Sequence, residues 1–264
     1  MYIHGTSPEE QARLSRLNDL LNQSCLEAVE PDYQSRILDV GSGLGQFTRL
    51  LARSCGGTAL GVERDPEQLA TAKSLASEGD PVEFRQGDAS NLPLSPDERG
   101  AFDLAHARFV LEHVADPQRL VHQMVQALRP GGRVFLLDDD HDLLRLDPEP
   151  KKFLAVWQAY VASYTALGCD PFVGRKLPQL LHKAGALPTR ASAVFFGGCK
   201  GDDSFEALCD NMIGLIQSAL GTMLPMNLCS ATGLEEGLSE FGEWRKCNYA
   251  NMVFMAPWAE GKRL

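Results

Sequence analysis

No stretch of this chain is apolar for long enough to span a bilayer as a helix, which takes about 20 predominantly apolar residues. No C-x-x-C pair occurs, and no cysteine–histidine group has zinc-finger spacing. The seven cysteines (Cys25, Cys55, Cys169, Cys199, Cys209, Cys229 and Cys247) are scattered and odd in number over 264 residues. They read as free thiols in a reducing compartment, mostly buried as small apolar side chains, and no metal site is expected. Long basic clusters are absent too: Lys151-Lys152 and Arg175-Lys176 are isolated pairs in a chain of net charge −10. Such an acidic chain is poorly suited to the phosphate contacts that dominate nucleic-acid affinity, so a nucleic-acid partner is not expected. Residues Met1–Gly5 lack a basic start followed by an apolar core, so no secretory leader is expected and a cytoplasmic location is.

What the chain does have is a glycine-rich corner, Asp39-Val40-Gly41-Ser42-Gly43-Leu44-Gly45. It follows the apolar run Arg36-Ile37-Leu38 and precedes Gln46–Ala52, which has the pattern of an amphipathic helix. Glycine lets the backbone turn sharply and lets a ligand approach without meeting a Cβ atom. Strand-like runs recur at Ile37–Val40, Ala59–Val62, Val82–Arg85, Phe102–His106 and Val134–Leu137, with helical runs at Gln46–Cys55, Pro66–Glu78 and Pro117–Leu128. Alternating helices and continuously apolar strands predict a parallel sheet covered on both faces. Ahead of this pattern, Ser7, Pro8 and Glu10 open a helix that Pro31 ends. Beyond Asp140 the spacing predicts helices over Pro148–Leu167, Lys176–Ala184, Phe205–Leu220 and Leu234–Phe241. It also predicts a strand over Thr189–Phe196 ended by Gly197-Gly198, and a last strand over Asn251–Ala256 stopped at Pro257.

The glycine spacing is informative. A dinucleotide fingerprint needs a third glycine where this chain has Gln46. Asp39 at the end of the first strand suits a cationic amino-acid group better than a pyrophosphate. Glu63 ends the second strand, where a carboxylate can accept from a ribose diol, and Asp88 ends the third, where it can accept from an adenine amino group. Three acidic strand ends fit a ligand with a cationic end, a ribose and an adenine.

The pieces ILDVGSGLG, GVERDP, RQGDASNLPL, FDLAHARFVLEHVADP and LRPGGRVFLLDDD, in this order, resemble the class I S-adenosylmethionine (SAM)-dependent methyltransferases over residues 33–140. YIHGTSPEEQARL and GCDPFVGRKLPQLLHKAGA are also similar to segments of a bacterial subgroup that acts on small molecules, with type 11/25-like domains. The resemblance implies a Rossmann-like α/β fold: a seven-stranded sheet with its last strand antiparallel, helices on both faces, and helical insertions capping the active site. One domain over 1–264 is implied, with an N-terminal lid tail and helix (1–32), a SAM-binding core (33–140) and insertions at 141–185 and 200–248. It implies SAM as cofactor and a small-molecule methyl acceptor. Asp39, Gly41, Ser42 and Gly43 would line the methionine half, Glu63 and Arg64 the ribose, and Asp88 and Ala89 the adenine. Ala107 and Arg108 would lie near the sulfonium. Tyr2, His4 and Arg13 would be lid contacts, with Arg13 at the cofactor carboxylate.

Other residues have plainer readings. Arg108 can pair with Glu112 one turn on, and His113 reads as a packed or capping histidine. In Asp138-Asp139-Asp140-His141, Asp139 and His141 are the candidates for acid–base chemistry. The alternative for that stretch is a polar loop or a metal-like cluster without a partner. The apolar helix over Phe205–Leu220, with Met212, Met223 and Met226, reads as core or as a homodimer contact before it reads as a pocket roof. Three other function classes stay open: an RNA or protein methyltransferase, a SAM-binding module without catalysis, and, disfavoured by Gln46, an NAD-dependent oxidoreductase.

Overall fold

The computed structural model describes residues 8–89 and 91–264. In chain order it runs α1 (Pro8–Val29), β1 (Arg36–Val40), α2 (Gln46–Cys55), β2 (Thr58–Glu63), α3 (Pro66–Ser74), β3 (Val82–Gln86), β4 (Phe102–Arg108), α4 (Pro117–Ala127) and β5 (Leu128–Leu137). Then follow β6 (Arg145–Asp147), α5 (Lys151–Ala166), α6 (Leu177–Lys183), β7 (Ala186–Cys199), α7 (Phe205–Ser218), α8 (Leu220–Met223), α9 (Ala231–Trp244) and β8 (Asn251–Arg263). Single turns of 3-10 helix lie at Leu111–His113 and His141–Leu143. Tyr2, His4 and the capping Ser7 lie outside the described residues.

All eight strands join one sheet, in the order β3-β2-β1-β4-β5-β8, with β7 on the far edge of β8. β8 runs antiparallel to its neighbours β5, β6 and β7. The strand order reverses at β1 and β4, and the crevice outside the carboxyl ends of those strands is where open α/β sheets take ligands. Beyond the seven strands implied by the resemblance there is an eighth, β6, inside the segment read as a helical insertion. It pairs with Asn251–Val253 at the start of β8, on the edge that β5 has left.

Several strand ends differ from expectation: β5 begins at Leu128 rather than Val134 and β7 at Ala186 rather than Thr189. Pro257 does not stop β8, which continues to Arg263. The Pro257 carbonyl accepts from Asp138 N at 3.0 Å, so its missing N–H falls on the same edge, where β5 has just ended. Gly197-Gly198 does not end β7 either; a Cβ on Gly197 would lie 2.3 Å from the Met252 carbonyl, so glycine is what lets β7 stay paired there. Helix α3 stops at Ser74, short of Glu78.

The core follows from the period-two alternation of the strands. Ile37 packs with Leu21, Cys25, Phe47 and Leu51 of α1 and α2, while Leu38 and Val40 pack on the other face with Val121, Met124 and Leu181 of α4 and α6. A third apolar cluster joins α5, α7 and α9 to β6 and β8. Phe205, Leu208, Met212 and Ile216 of α7 are buried within it, so core packing inside the chain accounts for that helix's apolar side chains. Among the described residues no helix is long and apolar enough to cross a membrane.

The Pro- and charge-rich segment Asn91–Gly100 is tied down by a fork. Arg85 Nη1 and Nη2 donate to the two Glu98 oxygens at 2.9 and 3.1 Å, and Ser95 N donates to Glu98 Oε2 at 2.8 Å. The Arg85 hydrogen bonds outweigh burial and hold the Glu98 carboxyl down at about 2. A folded-state value below that of the unfolded chain stabilises the fold above the unfolded value, and this contribution fades as pH drops toward about 2. Glu98→Gln should therefore cost about 2 kcal/mol at pH 7 in urea unfolding. The gap to the unsubstituted protein should narrow at pH 3; an unchanged gap would rule out the ionised fork as its source.

Candidate active site

The corner is built around a buried carboxylate. In the β1–β4 register Asp39 sits opposite His106, and His106 Nδ1 lies 2.7 Å from Asp39 Oδ1. Thr48 Oγ1, from the first turn of α2, donates to Asp39 Oδ2 at 2.5 Å. Asp39 and His106 are 3% and 1% exposed, so this set is buried beneath the loop at the cavity wall. The loop passes over β2, with Gly41 N and Ser42 N both donating to the Val62 carbonyl. Gly41, Gly43 and Gly45 all have positive φ. A Cβ would strike Val110 at Gly41 and the Phe84 ring at Gly45, each at 2.3 Å, whereas at Gly43 nothing lies closer than 3.4 Å. Gly43 thus presents bare backbone to open space.

Glu63 spans two loops: Oε2 accepts from Gly43 N at 2.9 Å and Oε1 from Asp65 N at 2.8 Å. Burial raises its carboxyl above the ordinary range despite these hydrogen bonds. Arg64 and Asp88 are exposed beside it, and the Ala89 carbonyl accepts from Gln123 Nε2 at 2.9 Å.

Helix α1 roofs this corner through polar contacts. Gln46 Nε2 donates to Ser15 Oγ at 3.0 Å. Arg108 does not pair with Glu112; it donates to Asn18 and Asn22 of α1 and lies 4.2 Å over the Phe47 ring. The chain turns after β4, and Glu112 meets His141 instead. Arg13 is buried, forked to Glu10 at 2.6 and 2.8 Å and bonded to Asn211 Oδ1 of α7 at 2.6 Å.

A second group of titratable side chains lies past the ends of β4 and β5. Asp138 accepts from the N–H groups of Val110, Leu111 and Glu112 at 2.9, 2.7 and 3.2 Å, which fixes the turn that carries Glu112. Glu112 Oε2 meets His141 Nε2 at 2.9 Å, and His113 Nε2 lies 3.5 Å from Oε1. Trp157, Tyr160 and Tyr164 of α5 surround the His141 ring at 5.2–5.6 Å between centroids, and the two tyrosine hydroxyls meet at 2.8 Å. Burial pushes Glu112 up to about 8, and it raises Asp138 and Asp139 well above the usual range with help from the Glu112 charge. Burial also lowers both histidines, His113 to about 3.

Both groups open on one cavity of about 530 Å³. At one end its walls are Asp39 to Leu44, Glu63, Arg64, Asp88 and Ala89; at the other they are Glu112, His113, Asp139, His141, the α5 aromatics, Phe196, Met212 and Phe254. Arg13 and Arg108 lie along it. Ala107 is instead packed into the core beneath. Sequence reasoning missed Glu112 as a site residue, the Asp138 clamp, and the aromatic wall. The signals were there: Glu112-His113 closely follows the end of a parallel strand, and Trp157, Tyr160 and Tyr164 recur at helical spacing.

A family model described as a methyltransferase domain matches residues 38–136, from the middle of β1 to the end of β5. That stretch is similar to a methyltransferase domain. Among curated relatives, the methyltransferase GfsG of Streptomyces halstedii is 31% identical over 140 residues, covering 52% of this chain and 49% of that one. An uncharacterised 37.1 kDa protein of transposon TN4556 from Streptomyces fradiae is 34% identical over 169 residues, covering 62% and 47%. The chain therefore spans about half the length of these relatives. A solved structure of a putative methyltransferase from Bacillus halodurans has the same fold at 14% identity, with a TM-score of 0.59 over 92% of this chain and 98% of that one.

The Asp39 network should be indispensable to the corner. Asp39→Asn removes the charge and replaces one acceptor oxygen with a donor, so the hydrogen bond to His106 or to Thr48 must reverse or be lost in a buried setting. The expected cost is about 1–3 kcal/mol by chemical denaturation; a variant as stable as the parent would show that the carboxylate does not hold the loop.

Proposed function

We propose that the chain transfers a methyl group from SAM to a small-molecule acceptor. The observation that carries this reading is the single cavity joining the glycine-rich corner to a closed pocket of aromatic and titratable side chains. Its volume falls within the range of about 300–1,000 Å³ typical of small-molecule sites.

The corner fits SAM on three counts. Gly43 leaves bare backbone where the amino-acid half would pass. Glu63, though bonded to two loop amides, keeps lone pairs that a ribose diol can share. Asp88 and Ala89 edge the same wall, where an adenine amino group would find an acceptor. Asp39 meets His106 and Thr48 with one partner on each oxygen, which holds the loop and, as in Glu63, leaves lone pairs toward the cavity wall. Arg13, held by Glu10 and Asn211, closes the cavity toward α7.

SAM supplies a methyl carbon on a cationic sulfur: the acceptor lone pair forms the new bond, the C–S pair returns to sulfur, and the acceptor releases a proton. The protein's part is to position the acceptor and exclude water, and positioning alone is worth up to about 7–11 kcal/mol. The wall of Trp157, Tyr160, Tyr164, Phe196 and Phe254 suits an acceptor with an apolar or aromatic body. An RNA or protein acceptor is disfavoured by the enclosed wall and the acidic balance of the chain. The scattered free cysteines support a reducing, cytoplasmic setting.

Titration calorimetry with SAM tests the reading. The intact protein should bind it, and Glu63→Gln, which keeps only one acceptor oxygen, should weaken binding about tenfold, a loss of about 1.4 kcal/mol. No heat with the intact protein would refute the proposal. Label transfer from methyl-labelled SAM to a panel of phenols, amines and hydroxy acids would then separate transfer from binding without turnover.

A further inference from the structure

We propose that Glu112, Asp139 and His141 form a divalent-cation site at the acceptor end of the cavity. The three come from two segments that the sheet brings together: Glu112 from the turn after β4, Asp139 and His141 from the stretch after β5. One ligand atom from each lies within 4.8 Å of the other two. The sequence showed Asp138–His141 as a cluster lacking a partner, and Glu112 is that partner.

Three further observations point to a cation. First, two buried polar atoms of the cluster have no hydrogen-bond partner, Asp139 Oδ1 and His141 Nδ1, and His141 is only 2% exposed while lining the cavity. A cation and its bound waters would give such atoms partners. Second, two carboxylates stand together with no lysine or arginine forming an ion pair to either among the described residues. Arg13 is forked to Glu10 and acts on Glu112 only through its charge at a distance, and Arg175 pairs with Asp140 and Asp142. Asp138 spends its own charge on three backbone amides.

Third, the ligands are held in place before any cation arrives. The Asp138 clamp fixes the Glu112 turn. Gly174 N donates to the Asp139 carbonyl at 2.9 Å, and His141 N donates to the Pro171 carbonyl at 3.1 Å. Gly174 itself is required, since a Cβ there would lie 2.7 Å from the Asp138 carbonyl. Ligands locked by surrounding structure are what a selective metal site needs.

Two carboxylates and one imidazole, with room left on the cavity side, suit Mn²⁺ or Zn²⁺ better than an all-oxygen cage would. The role of the ion rests on the methyl-transfer reading; its binding does not. A cation facing the cavity selects acceptors that offer it an oxygen, and it lowers the pKa of a coordinated hydroxyl. The hydroxyl proton passes to water, and the oxygen meets the methyl carbon already deprotonated. The substrate class is then an oxygen acceptor able to coordinate metal, with an apolar body against the α5 aromatics.

The test is calorimetry of the full chain, stripped with chelator, against Mn²⁺ and then Zn²⁺, with SAM titrated separately into the same preparations. Micromolar to submillimolar binding of at least one cation is expected at one site per chain. Glu112→Gln and His141→Ala should weaken it at least tenfold and leave SAM affinity within twofold. Asp139→Asn, at a half-buried position, provides a milder variant, and circular dichroism checks that each remains folded. A folded parent that binds neither cation at millimolar concentration overturns the inference, as does binding that all three variants retain. SAM binding without cation binding overturns this inference alone, whereas cation binding without SAM binding overturns the methyl-transfer reading alone.

Discussion

The Asp39 carboxylate is the fixed point of the cofactor end. It sits beneath the glycine-rich loop, at the place where the strand order reverses, and takes one partner from a neighbouring strand and one from the helix that the loop feeds. A buried charge is tolerated only when it is well bonded. Once His106 and Thr48 satisfy it, β1, β4 and α2 have one mutual arrangement, and the loop between β1 and α2 has little freedom left. The three left-handed glycines then follow from geometry. Two are needed because Val110 and Phe84 crowd them, and the middle one leaves its open side toward the cavity.

The acceptor end repeats the device with a different outcome. Asp138 is also a buried carboxylate at a strand end, but it spends itself on three backbone amides of the turn after β4. Its neighbours Asp139, Glu112 and His141 are left facing one another. At one strand end the charge is consumed by structure, and at the next it is consumed so that other charges can be displayed. Low solvent access raises the carboxyls and lowers the histidines at this end.

Local rules made the first half of the chain readable. Apolar runs that end in an acidic residue and a glycine-rich turn are set by short-range sterics, and β1 to β5 lie where the pattern put them. The three acidic strand ends needed only the knowledge that parallel strands share a carboxyl edge. What could not be read depends on register and on distant packing. Asp39 and His106 are one such case, becoming neighbours only through the β1–β4 pairing. Glu112 meets His141 through the equivalent β4–β5 alignment, and Arg13 meets Asn211 across 198 positions of sequence. Pro257 misled for a related reason: a proline ends a strand only if its missing N–H faces a partner, and which edge it faces is a tertiary fact.

Helix α1 is attached in two different ways along its length. Its last three turns are anchored by Leu21, Cys25 and Val29, which are buried against β1 and α2. Its first turns meet the rest of the chain largely through side-chain hydrogen bonds: Arg13 to Asn211, Ser15 to Gln46, and Asn18 to Arg108. Water can replace each of those bonds at little net cost, while the apolar anchor has no such substitute. The helix is therefore held by the core at its C-terminal end and by exchangeable polar bonds at the end that roofs the cavity.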